Sequence, residues 1–556
     1  MLMIPFTVWP QLQASHKMTL FLTTLLLVGS SLIIHFRATE TAGIFGENYH
    51  DPHFKDGRTV IVQLFEWKFV DIAKECKQML GPGGFGGVQV SPVTENAIRR
   101  DFDRPWWERY NPISYQIITR SGNRDELKDM IRTCNDEGVR IYIDIVINHM
   151  AAPIPFGNFN YEGVDEVENL ENADVLLEGT GGSQANASAR DYPGVPYTSS
   201  NFHKKCSIND RSDGQQIRNC DFLQLPDLDH YQDSVFEKLV KLFNELIEMG
   251  VAGFRVDSAK YIWPVDFKKI FEKLNNLNTD FGFAEGMRPF CLIEVIDTNR
   301  EAISKTEYSG YGVVTETQHA IQIAEIFNGK KPLSALLNWG PAMGFLLPPD
   351  GLVFVDTHYT QRGHGLGGNM DPESILSFAR PKKYTMAIAC MLAHPYGIKR
   401  IMSSFRFKNP DQGPPADEDE AIVSPEFNDD DGQCVENSEW VCEHRWNAIA
   451  NMVAFANYVT GEGINSFQNA GPNHVAFCRG SKGFLAINND PGLNFERRMY
   501  ACVQPGDYCD VISGSLVDGN CTGRLVTVDE QRMVVVMLAV DDENGVLAIH
   551  EGAKLE

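Results

Sequence analysis

A parallel (β/α)8 barrel, interrupted after its third strand by an inserted domain and followed by an antiparallel β-sandwich, is the fold this sequence predicts. Three observations point to it. Eight short apolar runs alternate with helical patterns between residues 59 and 403, as a parallel sheet covered by helices requires. A stretch rich in Gly, Asn, Asp and Ser, residues 148–228, breaks that alternation. After about residue 462 helical periodicity stops and short strand-like runs with turn residues take over.

The first run, 59–65 (TVIVQLF), precedes helical spacing over 67–80 that ends at Gly81. Residues 87–90 form the second strand. A helix over 125–136 carries Leu127, Met130, Ile131 and Cys134 on one face, with Gly138 as its stop. The third strand is 140–147 (RIYIDIVI). The next helix, 231–249, places Val235, Phe236, Leu239, Phe243, Leu246 and Ile247 at helical spacing. Residues 251–256, 292–295, 313–315, 352–355 and 401–403 supply five more strands. A doubly wound open sheet is the rival, but no glycine-rich nucleotide loop follows the first strand. The resulting division is an extension over 1–48, a barrel over 49–147 and 229–461, the insert 148–228 and a β domain over 462–556. The acidic, Pro-rich stretch 409–431 reads as a solvated loop.

A length of 556 residues suits a barrel of ~250 residues or more with additions, and 43% hydrophobic with 22% charged residues is a globular composition. The net charge of −25, from 74 acidic and 49 basic side chains, argues against nucleic acid as a partner. Residues 19–36 form an apolar run behind Lys17 that reads as a signal-peptide core. An uncleaved anchor is the alternative, because the run nearly spans a bilayer and no A-x-A site follows. Among twelve cysteines, Cys206/Cys220, Cys434/Cys442 and Cys509/Cys521 are close pairs without C-x-x-C repeats, which suits disulfides better than metal sites. Asn186-Ala-Ser188 and Asn520-Cys-Thr522 are glycosylation sequons. A secreted monomer without stable membrane association is expected.

In a parallel barrel the chemistry sits at the C-terminal ends of the strands. The third run ends Asp144-Ile-Val-Ile-Asn148-His149, and the fourth ends Arg255-Val-Asp257-Ser-Ala-Lys260. The fifth ends Glu294-Val-Ile-Asp297, and the seventh Asp356-Thr357-His358-Tyr359. Two carboxylates at one mouth suggest glycoside hydrolysis, one as nucleophile and one as acid/base. Trp106, Trp107 and Tyr110, in PWWERY, offer flat faces for sugar rings.

DIVINH, GFRVDSAK, LIEVID and FVDTH, in that order, resemble the four signature regions of the α-amylase family of glycoside hydrolases. LFEW, GPGGFGGVQVSP, PWWERYNPISY, QRGHG, MLAHPYG, WVCEHRW and CDVISG extend the resemblance to animal α-amylases over nearly the whole chain after residue 49. The resemblance implies endo-hydrolysis of α-1,4-glucosidic bonds in starch, glycogen and maltooligosaccharides. It implies Asp257 as nucleophile, Glu294 as acid/base, and Lys260, His149 and His358 as contacts to sugar hydroxyls. It makes the insert a calcium-holding domain, with Asn148, the carbonyl of Arg218, Asp227 and the carbonyl of Tyr261 as ligands; the family usually has histidine at Tyr261. It implies chloride between Arg255 and Arg400, with Thr357 in place of the family's asparagine. The β domain would be a Greek-key sandwich. The bridges implied are Cys76–Cys134, Cys206–Cys220, Cys434–Cys442 and Cys509–Cys521. Cys291, Cys390, Cys478 and Cys502 receive no partner, and Cys291 is expected as a buried free thiol.

The family normally has a third carboxylate where Tyr359 stands. Two readings follow: an active α-amylase, or a catalytically impaired amylase-like protein that binds glucans or acts as a scaffold.

Overall fold

The computed structural model describes residues 49–153, 176–364, 375–436 and 438–556. The apolar run read as a signal or anchor, 19–36, lies outside the described residues. Eight parallel strands close into a barrel: β1 (Val60–Leu64), β2 (Gly87–Val90), β3 (Arg140–Ile145), β4 (Gly253–Val256), β5 (Phe290–Ile293), β6 (Val313–Thr315), β7 (Gly351–Val353) and β8 (Ile398–Ser403). Each pairs with the next, and β1 closes the ring on β8, Val62 opposite Ile401. Barrel interior on one side and helices on the other bury both faces, so the strands read as mainly apolar runs, broken by buried polar residues such as Gln63, Gln89, Asp144, Arg255 and Arg400. Gly253 opens β4 because a Cβ there would lie 2.2 Å from the Phe290 carbonyl oxygen.

The helices pack their predicted faces inward. In α1 (Arg124–Asp136) the Asn123 side chain accepts from the Asp125 and Glu126 N–H groups, and Glu126 returns a bond to the Asn123 N–H. This capping box fixes the helix start, and Leu127, Met130, Ile131 and Cys134 are buried below it. In α2 (Asp233–Glu248) the buried stripe includes Leu242, whereas Phe236 is only half-buried, with the Lys269 ammonium 4.5 Å from its ring.

Several sequence readings are corrected at their edges. The run 352–355 is strand only to Val353, and 140–147 only to Ile145. Their last residues stay buried but leave the ladder. Residues 67–80 form an α-helix, Phe69–Glu75, that widens into a π turn, Cys76–Leu80. The stretch 409–431 is not simply solvated: the Asp411 carbonyl accepts from the Trp106 N–H, and its carboxylate accepts from Trp107 Nε1 at 3.1 Å.

Between β3 and β4 the described chain forms a small hairpin, Leu176–Glu178 with Gln184–Asn186, and a helical turn, Gly214–Asn219. Beyond the barrel, β9 (Ile464–Gly471), β10 (His474–Arg479), β11 (Gly483–Asn488) and a final strand, Val546–His550, make one antiparallel sheet. Four strands, Phe495–Tyr500, Gly506–Cys509, Leu525–Val528 and Met533–Leu538, make a second. The sheets share their own core, including Phe484, Val534, Val536 and Ile549, while Val475, Phe477, Leu485 and Ile487 on the first sheet's other face join the barrel core. The first sheet is therefore buried on both sides except along its edge strand β9. All four implied disulfides are present, together with Cys478–Cys502, which received no partner from the sequence. Cys291 and Cys390 are free and buried. No helix of the described residues is long and apolar enough to cross a membrane.

Candidate active site

The parallel register of β4 and β5 sets Val256 opposite Ile293, so the next residue on each strand, Asp257 and Glu294, reaches the same mouth of the barrel. The ladder continues into both: the Asp257 N–H donates to the Ile145 carbonyl at 3.0 Å and the Glu294 N–H to the Val256 carbonyl at 3.1 Å. Ser258 follows with a left-handed φ of 52°, which turns its N–H onto Glu294 Oε2 at 2.9 Å.

One guanidinium holds three carboxylates. Arg255 Nη1 lies 2.6 Å from Asp144 Oδ1 and 2.8 Å from Asp257 Oδ1, and Nη2 lies 2.5 Å from Glu294 Oε1. All four side chains are buried. Buried anions in excess of cations favour proton uptake. Burial, reinforced by the charges of Asp257 and Glu294 against the opposing pull of Arg255, pushes Asp144 up to about 7. Burial also raises Glu294, with Asp257 adding to the shift, while Arg255, the Ser258 N–H and a hydrogen bond from the Tyr359 hydroxyl pull it back. Burial lowers His149 to about 4 and holds His358 well below its ordinary range, so both imidazoles are neutral.

Asp257 and Glu294 lie in a cleft of about 1190 Å³ including its open mouth. The predicted sugar contacts Trp106, Trp107, Tyr110, His149, Lys260 and His358 all line it, as do Tyr261 and Tyr359. Trp106 meets Tyr110 edge-on at 5.9 Å, and Tyr110 stacks on His358 at 5.3 Å. The Tyr110 hydroxyl donates to Asp144 Oδ2 at 3.0 Å, while His149 Nε2 bonds to the Tyr110 carbonyl at 3.0 Å. Lys260 Nζ lies 2.6 Å from Glu301, which also pairs with Arg211. Asp356 is not among the residues lining this cleft; Tyr384 donates to it at 3.0 Å. Phe222, Leu223, Arg211, Glu301, His364 and Asp411 line the cleft without having been singled out. Their only common sequence signal is position in a loop following a strand end.

Of the residues assigned to calcium, Asn148 and Asp227 come together at the end of β3. His149 bridges Asp227, and the Leu228 N–H donates to the Asn148 carbonyl at 2.9 Å. Asn148 Oδ1 and Asp227 Oδ1 are buried oxygens without a hydrogen-bond partner, the donor type a hard cation takes. The other Asp227 oxygen bonds His203 at 2.6 Å. The side chain of Arg218 is occupied by Glu307 at 2.8 Å, and it is only the carbonyl that the assignment uses. Among the described residues no group of three or more His, Cys, Asp or Glu side chains gathers as a metal site, so carbonyl oxygens would have to complete the set.

Of the anion candidates, Arg255 is the one that bonds the carboxylates. Arg400 Nη1 donates to Gln89 at 2.7 Å, and the Nε–H groups of both Arg255 and Arg400 are buried without a partner. Two guanidinium donors left open suit a halide. The Thr357 hydroxyl is engaged in its own turn, donating to Thr360 Oγ1 at 3.2 Å and accepting from the Thr360 N–H at 3.1 Å.

Comparison with known proteins gives the same fold. The family described as alpha amylase, catalytic domain, matches residues 83–333, and alpha amylase, C-terminal all-beta domain, matches 464–551. A protein of Drosophila sechellia named alpha-amylase-related protein is 47% identical over 92% of this chain and 98% of its own. The protein of that name from Drosophila melanogaster is 46% identical over the same shares. The crystal structure of wild-type alpha-amylase I from the earthworm Eisenia fetida matches with a TM-score of 0.80 and 35% identity, over 90% of this chain and 98% of the other. A mutant of that enzyme, solved as a maltohexaose complex, matches with a TM-score of 0.80 and 34% identity over the same shares.

Proposed function

The chain belongs to the α-amylase family, and on that basis we propose that it is a secreted, monomeric endo-hydrolase of α-1,4-glucosidic bonds in starch, glycogen and maltooligosaccharides. The observation that carries the reading is the pairing of Asp257 and Glu294 at the ends of adjacent parallel strands, both on Arg255. Sharing one guanidinium keeps the two carboxyl groups near each other, which suits the ~5–5.5 Å carboxyl separation of retaining enzymes better than the ~6.5–9.5 Å of inverting ones. The maltohexaose complex of the earthworm enzyme supports the substrate class. The five disulfides support an oxidising compartment.

In this mechanism Asp257 attacks the anomeric carbon while Glu294, its pKa raised by burial, protonates the leaving oxygen. The glycosyl ester on Asp257 then yields to water, whose proton Glu294 accepts. Trp106, Tyr110 and His358 offer ring faces and polar edges to the sugar held by the nucleophile, with Trp107 further along that wall and His149 and Lys260 at its hydroxyls. Calcium would be held by Asn148, Asp227 and the carbonyls of Arg218 and Tyr261; when bound, it ties the insert to the end of β3. Chloride would be held by Arg255 and Arg400 with Thr357 beside it, and a charge there tunes the neighbouring carboxylates.

Tyr359 favours a second reading, an impaired glucan binder, because its ring occupies the cleft and its hydroxyl bonds the acid/base. Purified protein given soluble starch with calcium and chloride should release reducing sugar, and Asp257→Asn and Glu294→Gln should abolish release. Starch binding without release, with activity appearing on Tyr359→Asp, would establish the second reading instead.

A further inference from the structure

Gln63 is the one polar residue of β1, in the run VIVQL. The parallel register sets it opposite Gln89 of β2 and Met402 of β8, and it is wholly buried. A glutamine so placed costs stability unless its amide is used. Its side chain reaches the loop after β7, where Nε2 lies 3.0 Å from His358 Nδ1.

The other neighbours of His358 hold the ring still. Phe65 stacks on it at 4.9 Å with planes 23° apart, Tyr110 stacks at 5.3 Å with planes 6° apart, and Trp106 meets it edge-on at 5.3 Å. Phe65 is itself stacked on Phe405 at 5.7 Å. Arg362 Nη1 donates to the His358 carbonyl at 2.7 Å and fixes the backbone. Among the described residues the imidazole makes no second hydrogen bond, so Nε2 is the atom left for the cleft that His358 lines with Asp257 and Glu294.

A neutral imidazole has one N–H and one lone pair, and the partner of one nitrogen decides which form the other takes. Burial, with the charges of Arg255, Arg400 and Arg362, keeps this ring neutral. An amide nitrogen only donates, so the Nδ1 it meets must accept. The amide oxygen, buried without a partner, is the end that suits an interior charged by arginines. The cleft has a use for the resulting donor. Asp257 and Glu294 are acceptors when ionised, so a sugar hydroxyl that gives its hydrogen to either still requires a donor to its oxygen.

The geometry points to Gln63 as a positioning residue: its amide donates to His358 Nδ1, holds the imidazole proton on Nε2, and so presents a fixed N–H donor to a hydroxyl of the sugar at the nucleophile. The sugar in this statement rests on the hydrolase reading above, whereas the place of the proton is a property of the free protein. A glutamine that only fills the barrel would give way to methionine without consequence for either.

The experiment is nitrogen NMR on protein carrying isotope-labelled histidine, with the His358 signals assigned by their absence from His358→Gln. In the wild-type protein the bonded proton should sit on Nε2 and none on Nδ1. Gln63→Met, of similar length but without a donor, should give a mixture of the two tautomers. Gln63→Glu, which when ionised only accepts, should draw a proton to Nδ1. On maltooligosaccharides both variants should lose about fivefold to tenfold in kcat/KM, the order of one hydrogen bond. A proton on Nδ1 in the wild type, the wild-type tautomer kept in both variants, or kcat/KM kept in both would each overturn the proposal. If the wild-type protein cleaves nothing, the hydrolase reading fails by itself. The tautomer is read regardless, and the same loss is then measured in the affinity for maltohexaose, whose retention in both variants overturns the proposal equally.

Discussion

Tyr359 decides how much of the encoded chemistry is realised. Its hydroxyl donates to Glu294 and so favours the ionised form, against the burial that raises this group's pKa. A carboxylate there would repel that charge and bond sugar hydroxyls in the transition state, contacts worth several kcal/mol. Tyr359→Asp should therefore raise kcat/KM on starch by up to ~10³, the equivalent of ~4 kcal/mol. Tyr359→Phe removes the bond to the Glu294 carboxylate, so the Glu294 pKa rises. Because the acid must be protonated to act, the high-pH limb of the kcat/KM profile should move to higher pH, as pH–rate measurements on maltooligosaccharides will show. The carboxylate pair was legible in the sequence because strand-end residues of a parallel barrel must share one mouth. The bond between Tyr359 and Glu294 was not, since a hydroxyl's partner depends on side-chain direction and leaves no spacing signal.

Strand and helix positions were legible wherever burial dictated residue type, and failed at the edges, where Phe354 and Val355 stay buried after β7 has left the ladder. The Cys478–Cys502 bridge escaped for another reason. Its two halves lie on β10 and just after Phe495–Tyr500, elements of different sheets, and nothing in a separation of 24 residues identifies which sheets will face each other. Closing a loop of that length is worth roughly 3 kcal/mol through the unfolded chain. Paired Cys478→Ser and Cys502→Ser substitutions should lower unfolding stability by about that amount in urea titrations followed by tryptophan fluorescence. The Asn123 cap of α1 is worth about 1 kcal/mol, and Asn123→Ala should show a correspondingly smaller loss by the same measurement.

For the whole molecule, the ion assignments make predictions that activity alone cannot confuse. The unpartnered oxygens of Asn148 and Asp227 lie where the His149–Asp227 bridge joins the barrel to the insert, so a cation bound there stabilises only the folded chain. Saturating calcium at ~100 times its Kd should add about 2.7 kcal/mol, seen as a Tm that falls on chelation and recovers on adding calcium back; an unchanged Tm would remove the assignment. Amino-terminal sequencing of material from the medium should begin near residues 43–49 if the leading apolar run is a cleaved signal.

Barrel closure also carries a timetable. β1 is among the first parts of the described chain to be made, yet one of its edges waits for β8, its partner roughly 340 residues later at synthesis rates of ~5–20 residues per second. For tens of seconds a nascent chain presents an open, largely apolar strand edge, the kind that pairs with other chains. The last-made sheet must then bury a second face against a barrel that is itself only just complete. Guarding that interval thus matters to the yield of folded chain alongside the stability of the finished fold.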